Sequence, residues 1–90
     1  MATYIVSYDL RNPDRDYTRL YSRLDAWSAL RILESLLLIK VDNSSSTTIR
    51  DDLLGYVDKN DRLFVAKLTG EAAWRSLLCT DQQAKEKLTA

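Results

Sequence analysis

The sequence predicts an α+β fold, one small domain in which helices lie against an antiparallel sheet. Three observations lead there. Short runs rich in β-branched and aromatic residues are interspersed with segments whose apolar residues recur at helical spacing. A chain of 90 residues, 46% of them apolar, sustains one hydrophobic core and not two. With only two glycines and one proline, the elements are joined by short polar turns rather than by a flexible linker.

The first strand is Thr3-Tyr4-Ile5-Val6-Ser7-Tyr8-Asp9, which stops on a carboxylate just before the turn signal Arg11-Asn12-Pro13. Asp9 is therefore expected at a sheet rim, where it either faces a ligand or metal or merely hydrogen-bonds the turn. Residues 13–27 follow, with Tyr17, Leu20, Tyr21 and Leu24 at the i, i+3, i+4, i+7 spacing of one helical face. Arg15, Arg19 and Arg23 stand at i, i+4, i+8 and line up on the outward side of that helix. They form either a phosphate-tracking stripe or a solvated face with weak local contacts to Asp16 and Asp25.

From 29 to 41 the pattern changes to Leu30, Ile32 and Leu33, then an apolar run from Leu36 to Val41 interrupted only by Lys40, with Glu34-Ser35 between the two halves. Two consecutive strands, or one long bent strand with a bulge, fit this pattern. The polar stretch 42–48 is rich in helix N-cap types, and Ile49, Leu53, Tyr56 and Val57 then repeat at helical spacing. The serine run there reads as a loop and cap, since no Gly-rich frame or following Lys makes it a phosphate cradle. Leu63-Phe64-Val65-Ala66-Lys67-Leu68 is a further strand, and Thr69-Gly70 turns the chain. Residues 71–78 are ambiguous between an edge strand, a short helix and a dimer-exchange arm. Thr80-Asp81-Gln82-Gln83 resembles a capping box that opens a polar terminal helix over 81–88.

The order strand, helix, strand, strand, helix, strand is that of a ferredoxin-like βαββαβ sandwich over residues 1–78, with 79–90 as a C-terminal extension. Helices are expected to cover one sheet face and leave the other available. Pairing two such faces would bury Leu36, Leu38, Phe64 or Trp74 at roughly 25 cal/mol per Å², so a homodimer is expected.

Charge and composition narrow the chemistry. Thirteen Lys and Arg balance thirteen Asp and Glu, so any grip on a polyanion must come from a local cluster, and Arg11, Arg15, Arg19, Arg23 and Arg31 gather in the first third. The chain contains no His, which removes the usual imidazole base and most zinc sites. Cys79 is alone, with no disulfide partner and no CxxC companion, and reads as a packing residue. Trp27 and Trp74, set among alanines, read as core or interface packing rather than as base-stacking platforms. No apolar run approaches membrane-spanning length and the N-terminal residues lack a secretory pattern, so no membrane role and cytoplasmic residence are expected.

Several segments together carry a resemblance: Tyr4-Ile5-Val6-Ser7-Tyr8-Asp9-Leu10, Asp16-Tyr17 with Leu20-Tyr21, Leu33-Glu34-Ser35-Leu36-Leu37-Leu38-Ile39-Lys40, Ile49-Arg50-Asp51-Asp52-Leu53, Asn60-Asp61-Arg62-Leu63-Phe64-Val65 and Ala73-Trp74. This set resembles the bacterial proteins labelled SinR-family, which are similar to the CRISPR-associated protein Cas-two and, more distantly, to VapD-type ribonucleases. The resemblance implies a dimer in which Asp9 of each subunit approaches its counterpart and holds Mg²⁺ or Mn²⁺. It also implies that Ser35 touches phosphate. Arg11, Arg15, Arg19 and Arg31 are the accompanying nucleic-acid contacts by position and charge.

Two readings of function follow. In the first, the chain is a metal-dependent endonuclease, acting on RNA rather than DNA, with paired Asp9 carboxylates as its catalytic and metal-binding groups. In the second, it is a non-catalytic dimeric scaffold or interaction module that docks a partner protein or nucleic acid.

Overall fold

The computed structural model describes residues 2–12 and 15–88. The expected helix start at Pro13, residue 1 of the expected domain and residues 89 and 90 of the expected extension fall outside them. The described residues form four strands and three helices: β1 (Ala2–Asp9), α1 (Thr18–Ala26), β2 (Leu30–Leu33), β3 (Leu36–Val41), α2 (Ser46–Leu54), β4 (Arg62–Lys67) and α3 (Asp81–Leu88). The strands make one antiparallel sheet in the order β2-β3-β1-β4, an arrangement compatible with a ferredoxin-like sandwich.

Period-two alternation sets which side chains each sheet face receives. Tyr4, Val6 and Tyr8 of β1 and Leu37 and Ile39 of β3 form one buried cluster with Tyr17, with Leu20 and Leu24 of α1, and with Ile49 and Leu53 of α2. Glu34-Ser35 is the turn of a tight β2–β3 hairpin, and the pairing register shifts between Arg31 and Leu33, so both the two-strand and the bulge expectation have a counterpart. Ser45 caps α2 by accepting a 3.1 Å hydrogen bond from the Thr48 N–H, as the polar stretch predicts.

Several features differ from the sequence expectation, among them the end of α2 at Leu54, which leaves Tyr56 and Val57 of the helical repeat beyond the helix. The first helix starts at Thr18, because Arg11, Asn12, Arg15 and Tyr17 are drawn into hydrogen bonds with the turn before β4 and Asp16 accepts from the Thr18 N–H at 2.9 Å. The last strand begins one residue early, at Arg62, where it still pairs with Asp9. Most consequential, the face away from α1 and α2 is not left open throughout. The segment 71–80 is irregular, and it brings α3 back over β2 and β3. There Leu38 is 2% exposed and Ala84 fully buried. The Leu78 N–H donates to the Ile32 carbonyl at 3.0 Å, while the Thr3 hydroxyl and the Lys40 ammonium donate to the Lys87 and Glu86 carbonyls of the last helical turn. These two donors satisfy carbonyls that a helix end leaves without partners. Beyond Thr3, which α3 covers, the β1–β4 half of the same face toward Asp9 stays uncovered and presents Phe64, which is 62% exposed.

Trp27 is half-buried against the main cluster, and Trp74 is half-buried with its indole N–H donating to Asp81 at 3.1 Å. Among the described residues no helix is long and apolar enough to cross a membrane.

Candidate functional site

Asp9 ends β1, and the ladder places it directly opposite Arg62, the first residue of β4. Directly opposed residues share a sheet face, so the carboxylate and the guanidinium stand side by side, with Arg62 Nη1 3.7 Å from Asp9 Oδ2. Both side chains are well solvated, at 64% and 68% exposure. Two residues along each strand, Ser7 and Phe64 form the next opposed pair on that face. Together they line a shallow cleft of about 120 Å³.

The β2–β3 turn closes one flank of this end. The Ser35 carbonyl accepts the Tyr8 N–H at 3.1 Å, which docks the turn one residue before Asp9. Ser35 is exposed there. Arg31, on β2, donates to the Tyr8 hydroxyl at 3.3 Å and to the Glu34 carbonyl, so its guanidinium lies on the helix-bearing side of the sheet. Burial raises the Tyr8 hydroxyl above its ordinary pKa and outweighs the lowering by Arg31, which keeps it a neutral hydrogen-bonding group.

On the other flank runs the chain that leaves β1. The Arg11 N–H donates to Asp61 Oδ1 at 2.7 Å, and the Asn12 amide donates to Asp58 at 3.0 Å. Arg15 donates to Asp58 and lies 5.7 Å from the centre of the Tyr17 ring. The outward arginine stripe expected from spacing does not form. Arg15 precedes the helix, Arg19 lies over Tyr56 at 5.6 Å, and Arg23 clasps Asp52 through two bonds of 2.9 and 2.7 Å while covering Trp27 at 4.3 Å. Among the described residues, much of this charge is met internally, in the Arg–Asp pairs 15 with 58, 23 with 52, 50 with 51 and 62 with 9.

Of the residues predicted from sequence, the fold therefore brings Asp9 and Ser35 to one sheet end, with Arg31 reaching it through Tyr8 and Arg11 on the adjoining loop. Arg15 is tied to Asp58 and Arg19 sits against Tyr56, so neither stands in a free basic row. Sequence reasoning missed Arg62. Its signal was available: a cation opening a strand that a ferredoxin-like order pairs antiparallel with the strand closed by Asp9.

A metal at this end has one carboxylate per chain to hold it, and the described residues contain no group of three or more His, Cys, Asp or Glu able to cage an ion. Mg²⁺ is commonly bound through one or two carboxylates, with water and substrate phosphate completing the shell. The solvent-open oxygen donor of Asp9 fits an ion held in that way and does not fit a resident all-protein cage.

No protein-family model matches the chain, and no solved structure matches it at a significant level.

Proposed function

We propose that this chain is a homodimeric, metal-dependent endonuclease of ferredoxin-like fold, acting on RNA rather than DNA, with the Asp9 carboxylates of two copies holding Mg²⁺ or Mn²⁺. The observation that carries the reading is the position of Asp9: a solvent-open carboxylate at the end of a central strand, on the sheet half that α3 leaves uncovered. The preference for RNA rests on the resemblance to VapD-type ribonucleases. When bound, such an ion polarises a phosphodiester oxygen and lowers the pKa of its water. Asp9 supplies oxygen ligands, the Ser35 turn borders the space a phosphate would take, and the absence of His leaves carboxylate and water to move protons.

Cleavage of labelled single-stranded RNA and double-stranded DNA, by wild type and Asp9→Ala with Mg²⁺, Mn²⁺ or EDTA, tests this at matched dimer content. The expected result is metal-dependent cutting of RNA that falls more than about a hundredfold in the variant, the scale of several kcal/mol of lost transition-state stabilisation. Equal cutting by both proteins removes Asp9 from the chemistry.

The second reading, a non-catalytic dimeric scaffold, draws support from the same pair: the single carboxylate is already balanced by Arg62. It predicts no metal-dependent turnover, together with altered capture of a nucleic acid or protein partner when Arg15 and Arg19 are reversed in charge.

A further inference from the structure

Asp9 and Arg62 are opposed on the ladder, share a face, lie 3.7 Å apart and are both about two-thirds exposed. The separation is longer than a charge-assisted hydrogen bond, which falls near 2.7–2.9 Å. An exposed pair of this kind contributes little to stability and exchanges its partners readily. Each member is also half of a phosphate-handling site: the carboxylate suits a hard cation, and the planar guanidinium suits a phosphate oxygen pair. While they stand side by side, each partly offsets the other's charge. Neutralising the carboxylate leaves the guanidinium with unspent charge, on the rim of the cleft it shares with Ser7 and Phe64.

We infer that Arg62 is the phosphate-binding residue of this end of the sheet, and that its pairing with Asp9 keeps it masked until a divalent cation occupies the carboxylate. Cation and nucleic acid then bind with positive coupling, because the ion that takes Asp9 frees the guanidinium for the phosphate beside it. The inference rests on the Asp9-centred reading of function but not on turnover. Among the described residues Arg62 differs from Arg15 and Arg23, whose carboxylate partners lie closer and whose side chains are also half-covered by aromatic rings.

The decisive variant is Asp9→Asn, which removes the charge, keeps the size and stands at an exposed position. Binding of a short labelled oligoribonucleotide is measured in EDTA, across a salt series, for wild type, Asp9→Asn, Arg62→Ala and the double variant. Asp25→Asn, on the exposed surface of α1, controls for the gain of one positive charge. Asp9→Asn is expected to bind several-fold more tightly than wild type and Asp25→Asn, with a salt slope steeper by about 0.7, the increment of one extra phosphate contact on a single strand. The double variant is expected to lose that gain. Adding Mg²⁺ is expected to tighten binding several-fold more for wild type than for Arg62→Ala, in which only the ion's own contact with the phosphate remains.

Affinity in Asp9→Asn equal to that of wild type or of Asp25→Asn overturns the inference, as does a gain that survives removal of Arg62 or the failure of every variant to bind. Wild type that never cuts, while Asp9→Asn still binds more tightly through Arg62, overturns the nuclease reading and leaves the masking of Arg62 standing. Thermal melts of all variants confirm that equal amounts of folded protein are compared.

Discussion

At the scale of single residues, Asp61 organises more of this molecule than any side chain the sequence singles out. It accepts from the Arg11 N–H at 2.7 Å, the Asp58 N–H at 2.8 Å and the Tyr17 hydroxyl at 2.9 Å, and so joins the chain leaving β1 to the turn that starts β4. Desolvation pushes its carboxyl pKa up, but those hydrogen bonds and the nearby Arg15 charge outweigh it and hold the group below the ordinary carboxylate range. Asp52, hydrogen-bonded by Arg23, and Asp16, hydrogen-bonded by Thr18, are displaced the same way. A carboxyl whose folded pKa is depressed contributes stability that is complete above its unfolded value, near 4, and is lost as pH falls through the lower folded value. Stability is therefore expected to decline from about pH 4 downward, and Asp61→Asn to flatten that decline in melts recorded along a pH series. At neutral pH Asp61→Ala should cost about 2 kcal/mol, since it strips a charged acceptor from three donors, which lowers the melting temperature by about 10 °C. In the sequence Asp61 stood out only within the Asn60-Asp61-Arg62 segment of the resemblance, because two of its three donors come from positions 44 and 50 residues away.

At the scale of elements, the local chemistry of helix ends carried over well and helix placement did not. The reciprocal bonds of the capping box are both present, Thr80 N–H to Gln83 Oε1 at 3.0 Å and Gln83 N–H to Thr80 Oγ1 at 3.1 Å, and α3 spans the residues its pattern predicts. A capping box involves only neighbours, so sequence suffices to read it. Where α3 lies is a different matter. An eight-residue helix is too short to hold itself together in water, so α3 depends on docking through Ala84 and on the Lys40 and Thr3 donors at its last turn. Ala84→Glu should undock it, expose Leu38 and raise amide exchange across 81–88, whereas Thr80→Ala should loosen the first turn alone, at a cost of about 1 kcal/mol. Equal exchange in Ala84→Glu and wild type would show that the sheet does not hold α3. The helical period of the 13–27 stretch likewise predicted that α1 exists but not that it begins at Thr18, because side chains from the distant 58–61 turn compete for that part of the chain.

At the scale of the whole molecule, α3 divides one sheet face into a covered half at β2 and β3 and an uncovered half at β1 and β4, where Phe64 lies beside the Asp9–Arg62 end. A homodimer built on this face has only that second half to use, so Phe64→Glu should shift sedimentation toward the monomer and remove the concentration dependence of the melting temperature that a dimer confers. A dimer unaffected by Phe64→Glu would have to be built elsewhere. What the sequence by itself determined is what depends on neighbours along the chain: the α+β class, the caps of α2 and α3, and Asp9 at a strand end. Alternation, helical period and capping are short-range rules, and local residues satisfy them without knowledge of the fold. Only the tertiary structure decided the register that sets Arg62 directly opposite Asp9, that each arginine of the expected stripe is turned onto an aromatic or an aspartate, and that α3 returns over the sheet. Those outcomes arise from pairing register and from charges distant in sequence, which find one another once the chain has folded.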